Sequence, residues 1–264
     1  MYINNRKFVD KLNRDNFFVV IDFDRTISKG TSEGTWATIR RAEIFNEEYH
    51  RLSEEQYEKY RPIEVDPNIS PEEKAKSMEA WWKEHFDLFF KFGLKKEDIV
   101  KSAQEGGIIL RDGAEKFFLK MNELGVPVII LSAGIGNIIE EFLKYKNIYY
   151  DNIYIFSNNI LFNEEGSICG LGDNIIHACN KTIEYLPDDI KEKIAAREYI
   201  LMYGDGLADL SMVPERLYDK TIKIGFLVEA IEESLEAFNN NFDIVLLGDD
   251  SFDEVNNYLN IFNL

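Results

Sequence analysis

The chain has 264 residues, 45% of them hydrophobic, which suits one large domain or a core domain carrying an insertion. Its 48 acidic residues against 30 basic ones leave a formal net charge of −18, which argues against nucleic acid and anionic membrane as partners. No apolar run approaches the roughly 18 residues of a membrane span, and the polar opening Met1–Asn16 lacks the pattern of a secretory leader, so a cytoplasmic protein is expected.

In chain order, residues 1–16 read as a polar lead-in, with a short helix packed on the core. Phe17–Ile21 is an unbroken apolar run that ends in Asp22-Phe23-Asp24. Such a run predicts a strand buried on both faces, as in a parallel sheet. The Asp22 and Asp24 carboxylates, one residue apart, raise each other's pKa. A hard cation such as Mg²⁺ relieves that repulsion and leaves room for a phosphate. The competing reading is that Asp24 or Ser28 caps a following helix.

From Thr31 to about Gln104 strand-like runs give way to charged helical segments. Helices are predicted over Ala37–Leu52 and Ser53–Arg61, the second stopped by Pro62. Ser70-Pro71-Glu72-Glu73 is a helix start, with a capping Ser, a first-turn Pro and acids at the positive dipole end. Met78, Trp81, Trp82, His85, Phe86, Phe89 and Phe90 then recur at three- and four-residue spacing, one stripe that reads as core rather than a ligand box.

After Gly106-Gly107 the α/β pattern resumes, with a helix over Gly113–Leu124 and a strand over Val126–Leu131 that leads into Ser132-Ala-Gly-Ile-Gly136. A helix Asn137–Tyr145, a strand Ile153–Phe156 and a hairpin turning at Glu165-Gly166 follow. Tyr199–Tyr203 is a strand ending in Gly204-Asp-Gly-Leu-Ala-Asp209, and Lys220–Phe226 and Asp243–Leu247 are two more. Cys169 and Cys179, ten residues apart and without a CxxC, read as buried reduced thiols, and His177 beside them does not make a metal site. The alternation predicts a doubly wound, mostly parallel α/β sheet. Residues 1–30 and 106–264 form the core in this reading, and residues 31–105 form an inserted α-helical cap.

In such sheets ligands bind beyond the carboxyl ends of the strands, where every motif here falls. Asp22 and Asp24, Ser132, Lys181, and Asp205 with Asp209 are each ambiguous alone. A Gly-Asp-Gly can be a turn, a lysine a solvated surface group and a serine a helix cap. Together, in this order, they resemble the haloacid dehalogenase superfamily of phosphohydrolases, with its DxDx(T/V), Ser/Thr, Lys and acidic-loop motifs. More narrowly, nearly the whole chain is similar to the cytosolic pyrimidine 5'-nucleotidases, also called type III. Ile63–Pro67 (IEVDP), Ser132–Asn137 (SAGIGN), Phe156–Asn159 (FSNN), Ile222–Leu227 (IKIGFL) and Phe242–Leu247 (FDIVLL) carry that closer match.

The resemblance implies a haloacid dehalogenase-like core and Mg²⁺-dependent hydrolysis of nucleoside 5'-monophosphates, CMP and UMP foremost. It implies Asp22 as the nucleophile that forms an aspartyl-phosphate, and Asp24 as acid and then base. Asp22, the Asp24 carbonyl and Asp205 would hold the metal, with Asp209 in support. Ser132, the N–H groups of Ala133 and Gly134, and Lys181 would hold the phosphoryl oxygens. Thr26 would brace the loop by hydrogen bonding. Glu64 would meet the base, accepting from cytosine or 7-methylguanine, and an ungapped match puts a second base contact at His85. The expected partner is a small-molecule nucleoside monophosphate bound by a monomer. The alternatives are a phosphatase for 7-methyl-GMP, phosphoserine or another small phosphate, phosphotransfer to a nucleoside, a protein phosphatase, and a non-catalytic nucleotide-binding protein.

Overall fold

The computed structural model of the chain describes residues 1–66, 68–172, 175–177 and 180–264. Among these the strands are β1 (Tyr2–Ile3), β2 (Phe17–Ile21), β3 (Val128–Ile135), β4 (Ile153–Asn158), β5 (Ile160–Phe162), β6 (Ile168–Leu171), β7 (Tyr199–Gly204), β8 (Thr221–Leu227) and β9 (Ile244–Leu247). The helices are α1 (Thr35–Arg40), α2 (Glu47–Val65), α3 (Pro71–Phe92), α4 (Lys96–Glu105), α5 (Ala114–Leu124), α6 (Gly136–Tyr145), α7 (Asp188–Ile194), α8 (Ile231–Asn241) and α9 (Phe252–Tyr258). Seven strands form one sheet in the order β1-β9-β8-β7-β2-β3-β4, parallel throughout except for β1.

The five residues of β2 are all buried because the sheet is covered on both faces. Phe17, Val19 and Ile21 join the cluster that includes Phe117, Phe118, Ile138, Phe142 and Phe252. Phe18 and Val20 point the other way, onto Ile190, Ile194 and Phe238. A period-two strand with both parities apolar can only sit between two layers, which is the doubly wound arrangement. The centre of the sheet, β7-β2-β3, carries the Asp22, Ser132 and Asp205 motifs at its carboxyl end.

The helices inserted between β2 and β3 pack in two ways. α2 lies along α3, whereas α1 contacts β3 and α4 lies along α6, tying the ends of the insertion to the sheet layer. The β5–β6 hairpin docks on the α3–α4 junction, where Lys96 N donates to Gly166 O and Ile168 N to Leu94 O.

Several local expectations are corrected. The opening residues pair as β1 with β9 instead of forming a core helix, and only a short 3₁₀ turn forms at Val9–Lys11. The stretch predicted as one helix over Ala37–Leu52 breaks between α1 and α2, because the Asn46 side chain accepts from Tyr49 N at 3.0 Å and starts a new helix. Pro62 does not stop α2: it is exposed, and packing along α3 outweighs one missing hydrogen bond. Ser70 does cap α3, accepting from Glu73 N. Phe90 is exposed, so the stripe ends at Phe89, and Cys169 is exposed rather than buried. Cys179 lies outside the described residues.

Candidate active site

Asp22 ends β2, its N–H donating to Tyr203 O on the neighbouring strand β7. The chain then leaves the sheet through Asp24 (φ −66°, ψ 127°) and Arg25, which is left-handed at φ 63°. Asp24 is clamped from the insertion. Thr35 N donates to Asp24 Oδ1 at 2.9 Å and Thr35 Oγ1 to Oδ2 at 2.8 Å, while Ile135 N donates to Thr35 Oγ1 at 3.3 Å. Gly134 makes room for this clamp: a Cβ there would stand 2.2 Å from Thr35 Oγ1, and 3.2 Å from both Asp24 Oδ2 and Ser132 Oγ. Burial pushes the Asp24 carboxyl up, against the Thr35 bonds that favour its charged form.

Lys181 reaches the same place from a distant segment. Asn158 fixes that segment by accepting from Ile176 N and donating to Ile176 O and Ala133 O. The Lys181 ammonium, 5% exposed, stands 2.5 Å from Asp22 Oδ1 and 2.7 Å from Asp209 Oδ1. Asp209 Oδ2 accepts from the N–H groups of Asp205 and Gly206, so both its oxygens are engaged and it acts as a brace. Burial opposes the charge on Lys181, but Asp209 and Asp22 outweigh it and raise its pKa above the ordinary lysine value.

Carboxylate oxygens of Asp22, Asp205 and Asp209 lie within 4.8 Å of one another. Burial pushes the Asp22 carboxyl up to about 7, with Lys181 opposing and Asp209 and Asp24 adding to the rise. Burial, then Asp209 and Asp22, raise Asp205 well above the usual carboxylate range. Among the described residues no side chain donates to Asp22 Oδ2 or to the Asp205 carboxylate. Crowded hard oxygens with unfilled acceptor capacity are the donor set of a divalent cation. Ser132 is buried, and its Oγ accepts from Gly134 N at 3.1 Å.

Two of the expected roles, those of Thr26 and His85, do not stand as read. The Thr26 hydroxyl is buried without a hydrogen-bond partner; Thr26 takes part through its carbonyl, which accepts from Arg111 Nε at 2.8 Å. His85 is 3% exposed, with Tyr49 OH 3.0 Å from Nε2 and Gln56 Oε1 2.9 Å from Nδ1. Both ring nitrogens are taken inside the α2–α3 aromatic core, and burial pushes the imidazole down to about 3, so His85 is a packing residue. Glu64, on the last turn of α2, is partly exposed; its Oε2 accepts from Arg61 Nη1 at 2.5 Å, and among the described residues no donor meets its Oε1.

Residues that the sequence reading passed over complete the site. Thr35 lies eleven positions beyond Asp24, with no local signal of the contact. Trp36 donates from Nε1 to Ala133 O at 3.2 Å, and its ring centroid lies 3.7 Å from that of Trp82. Both rings are half-buried, so an aromatic surface borders the Ser132 loop. The Arg25 side chain pairs with Glu229 at 2.8 Å.

The sequence model of the pyrimidine 5'-nucleotidase family (UMPH-1) matches residues 25–263. The chain belongs to this family. A 7-methylguanosine phosphate-specific 5'-nucleotidase A of Xenopus laevis is 34% identical over 248 residues, 91% of this chain and 86% of that protein. The 7-methylguanosine phosphate-specific 5'-nucleotidase of Homo sapiens is 31% identical over 254 residues, 93% of this chain and 84% of that protein. Among solved structures, cytosolic 5'-nucleotidase IIIB bound to cytidine superposes with a TM-score of 0.84 at 27% identity, covering 95% of this chain and 87% of that one. A substrate-bound phosphoserine phosphatase, at TM-score 0.56 and 20% identity, shares the fold alone. The pyrimidine 5'-nucleotidase family and the haloacid dehalogenase phosphatase fold make the chain a phosphoric monoester hydrolase of the 5'-nucleotidase type. No helix among the described residues is long and apolar enough to cross a membrane.

Proposed function

We propose that the chain hydrolyses nucleoside 5'-monophosphates through an aspartyl-phosphate on Asp22, with 7-methyl-GMP and CMP ahead of UMP. The observation that carries this is the Lys181 ammonium held 2.5 Å from Asp22 and 2.7 Å from Asp209. An anion-binding cation beside a strand-end carboxylate is what in-line attack on phosphorus requires. Asp22 attacks phosphorus and the ester oxygen leaves. Asp24, its carboxyl raised by burial, gives that oxygen its proton and then takes one from the water that releases phosphate. Lys181 and the Ser132 hydroxyl hold the equatorial oxygens, where transition-state charge gathers. Asp22, the Asp24 carbonyl and Asp205 would hold Mg²⁺, which when bound neutralises phosphoryl charge and keeps Asp22 ionised.

The base is met by α2 and α1 in this reading, within a cap formed by residues 31–105. Glu64 accepts from an exocyclic amine or ring N–H, and its negative charge favours the cationic 7-methylguanine; uracil offers N3–H alone. The half-buried Trp36 and Trp82 give a stacking surface for either base. The names of the Xenopus and human relatives favour 7-methyl-GMP, and the cytidine bound to the IIIB structure favours CMP. The same aspartyl-phosphate can be captured by a nucleoside hydroxyl. The protein acts in the cytosol in this reading, in line with the cytosolic names of its relatives.

The test is phosphate release from 7-methyl-GMP, CMP, UMP and phosphoserine with Mg²⁺ and with chelator. Nucleotide turnover that needs the metal and exceeds phosphoserine turnover is the expected result. Equal rates on phosphoserine, or turnover by Asp22→Asn, would overturn the proposal.

A further inference from the structure

Arg111 is the largest fully buried side chain, and its side chain has no solvent exposure. A buried guanidinium is costly unless its donors are matched, and here they are matched by backbone. Nε donates to Thr26 O at 2.8 Å, Nη2 to Arg25 O at 2.5 Å, and Nη1 to Gly248 O at 2.9 Å and Asp250 O at 3.1 Å. The nearest carboxylate oxygen, on Asp249, stands 3.9 Å away, and the Phe226 ring covers the guanidinium at 4.0 Å. Two of these acceptors belong to the loop that leaves the nucleophile, and two to the turn after β9. Asp249 adds a second tie between the same segments, accepting from Gly30 N and Thr31 Oγ1 at 2.6 Å each.

The loop needs holding because Arg25 is left-handed (φ 63°, ψ 0°), a conformation that strains a non-glycine residue. Arg25 directly follows Asp24, so its turn sets where the Asp24 carbonyl and carboxylate point. Its N–H donates to Ser28 Oγ at 2.8 Å and its side chain to Glu229, but its carbonyl is fixed by Arg111 alone among the described residues.

We propose that Arg111 is a positioning residue for the phosphoryl-transfer site: its guanidinium, clamping the Arg25 and Thr26 carbonyls to the Gly248–Asp250 turn, fixes the left-handed step that aims Asp24. The inference rests on the nucleotidase reading above.

The fold supplies its own control. Arg197 makes a similar carbonyl clamp at the opposite end of β2, donating from Nη1 to Arg14 O and Phe17 O and from Nη2 to Gly125 O. Purified Arg111→Met, Arg111→Lys and Arg197→Met are compared with the unaltered protein for melting temperature, kcat and KM with the best nucleotide, all well below melting. Arg111→Met is expected to lose roughly 10²-fold in kcat with KM changed less than about threefold, since ångström-scale misplacement of a reacting group costs that much. Arg111→Lys, which keeps the charge and part of the donor set, recovers part of kcat, and Arg197→Met melts lower with kcat intact. A folded Arg111→Met with undiminished kcat, or an equal kcat loss in Arg197→Met, overturns the proposal. If Arg111→Met does not fold, Arg111→Lys decides: lowered kcat at constant KM supports the role, and full kcat refutes it. An unaltered protein that releases phosphate from no nucleotide would instead remove the nucleotidase reading.

Discussion

Asp22→Asn is expected to abolish turnover and, without metal, to make the protein more stable. Burial has lifted the Asp22 carboxyl from 3.8 to about 7. Each unit is 1.36 kcal/mol, so at pH 8 the folded state carries about 4 kcal/mol of unfavourable ionisation at this one group. The sign follows from linkage: a carboxyl whose folded pKa is raised binds more protons folded than unfolded between about pH 4 and 7. Stability from this group therefore falls as pH rises through that window and stays low above it. Asparagine carries no such penalty and can still accept from Lys181. In chelator at pH 8 the variant should gain about 4 kcal/mol, roughly 8 °C in melting temperature for a chain of this length. At pH 5 the gain should shrink to less than half of that, because the unaltered carboxyl is then largely protonated in the folded state. Saturating Mg²⁺ should narrow or reverse the difference, since the unaltered protein binds the ion more tightly. Differential scanning calorimetry over pH 5–8, with and without Mg²⁺, measures all three. A variant that melts below the unaltered protein in chelator at pH 8, or a gain that grows toward pH 5, would refute the reasoning.

Lys181→Met leaves Asp22 and Asp209 facing each other without their ammonium; without metal it should lose about 3–5 kcal/mol in urea titration, and phosphate release should cease. Thr35→Val keeps the shape but removes one of two donors to Asp24, so the Asp24 pKa rises further and the alkaline limb of the kcat–pH profile should move upward. Glu64→Gln should raise KM for 7-methyl-GMP by about tenfold, the worth of one charge-assisted contact, and leave phosphoserine turnover unchanged. His85→Leu should instead cost about 1–3 kcal/mol of stability by stranding Tyr49 OH and Gln56, with KM unaltered.

The placing of Asp22, Asp24 and Ser132 together at the strand ends was legible because its signals are local. Five apolar residues with β-branched members read as a doubly covered strand, and a carboxylate at the end of such a strand falls at the strand-end crevice. Lys181 and Asp209 needed the family pattern, since nothing near them in the chain announces that Asn158 anchors one and the Asp205 and Gly206 amides the other. His85 is instructive because two readings of it competed. Its place in the Trp82-His85-Phe86-Phe89 stripe argued for core, the ungapped match argued for base contact, and the packed ring bears out the stripe. Arg111 and Thr35 had no sequence signal, because each acts through a backbone or side-chain contact closed only by the fold. The two-residue β1 is too short for alternation to show, and Pro62 was read by local propensity where helix packing decides.

The charge of the site argues that metal governs binding as well as chemistry. Asp22, Asp24, Asp205 and Asp209 stand against Lys181, four carboxylates against one ammonium, so the fully ionised pocket carries −3 within a chain of net charge −18. Arg25 and Arg61 are paired with Glu229 and Glu64, and the buried Arg111 guanidinium, which acts on Asp205 as well as Asp249, offsets the excess only in part. A nucleotide phosphate brings close to two further negative charges, and the enclosed surroundings screen repulsion poorly. Removing the divalent ion should therefore abolish nucleotide binding itself, whereas a metal that served only the chemical step would leave affinity intact. Equilibrium dialysis of a non-hydrolysable phosphonate analogue of 7-methyl-GMP against the unaltered protein separates the two, because every proposed metal ligand stays in place and no turnover occurs. Affinity in chelator equal to that in Mg²⁺ would show that Lys181 and the Ser132 loop suffice to hold the phosphate, and would overturn this account of the pocket.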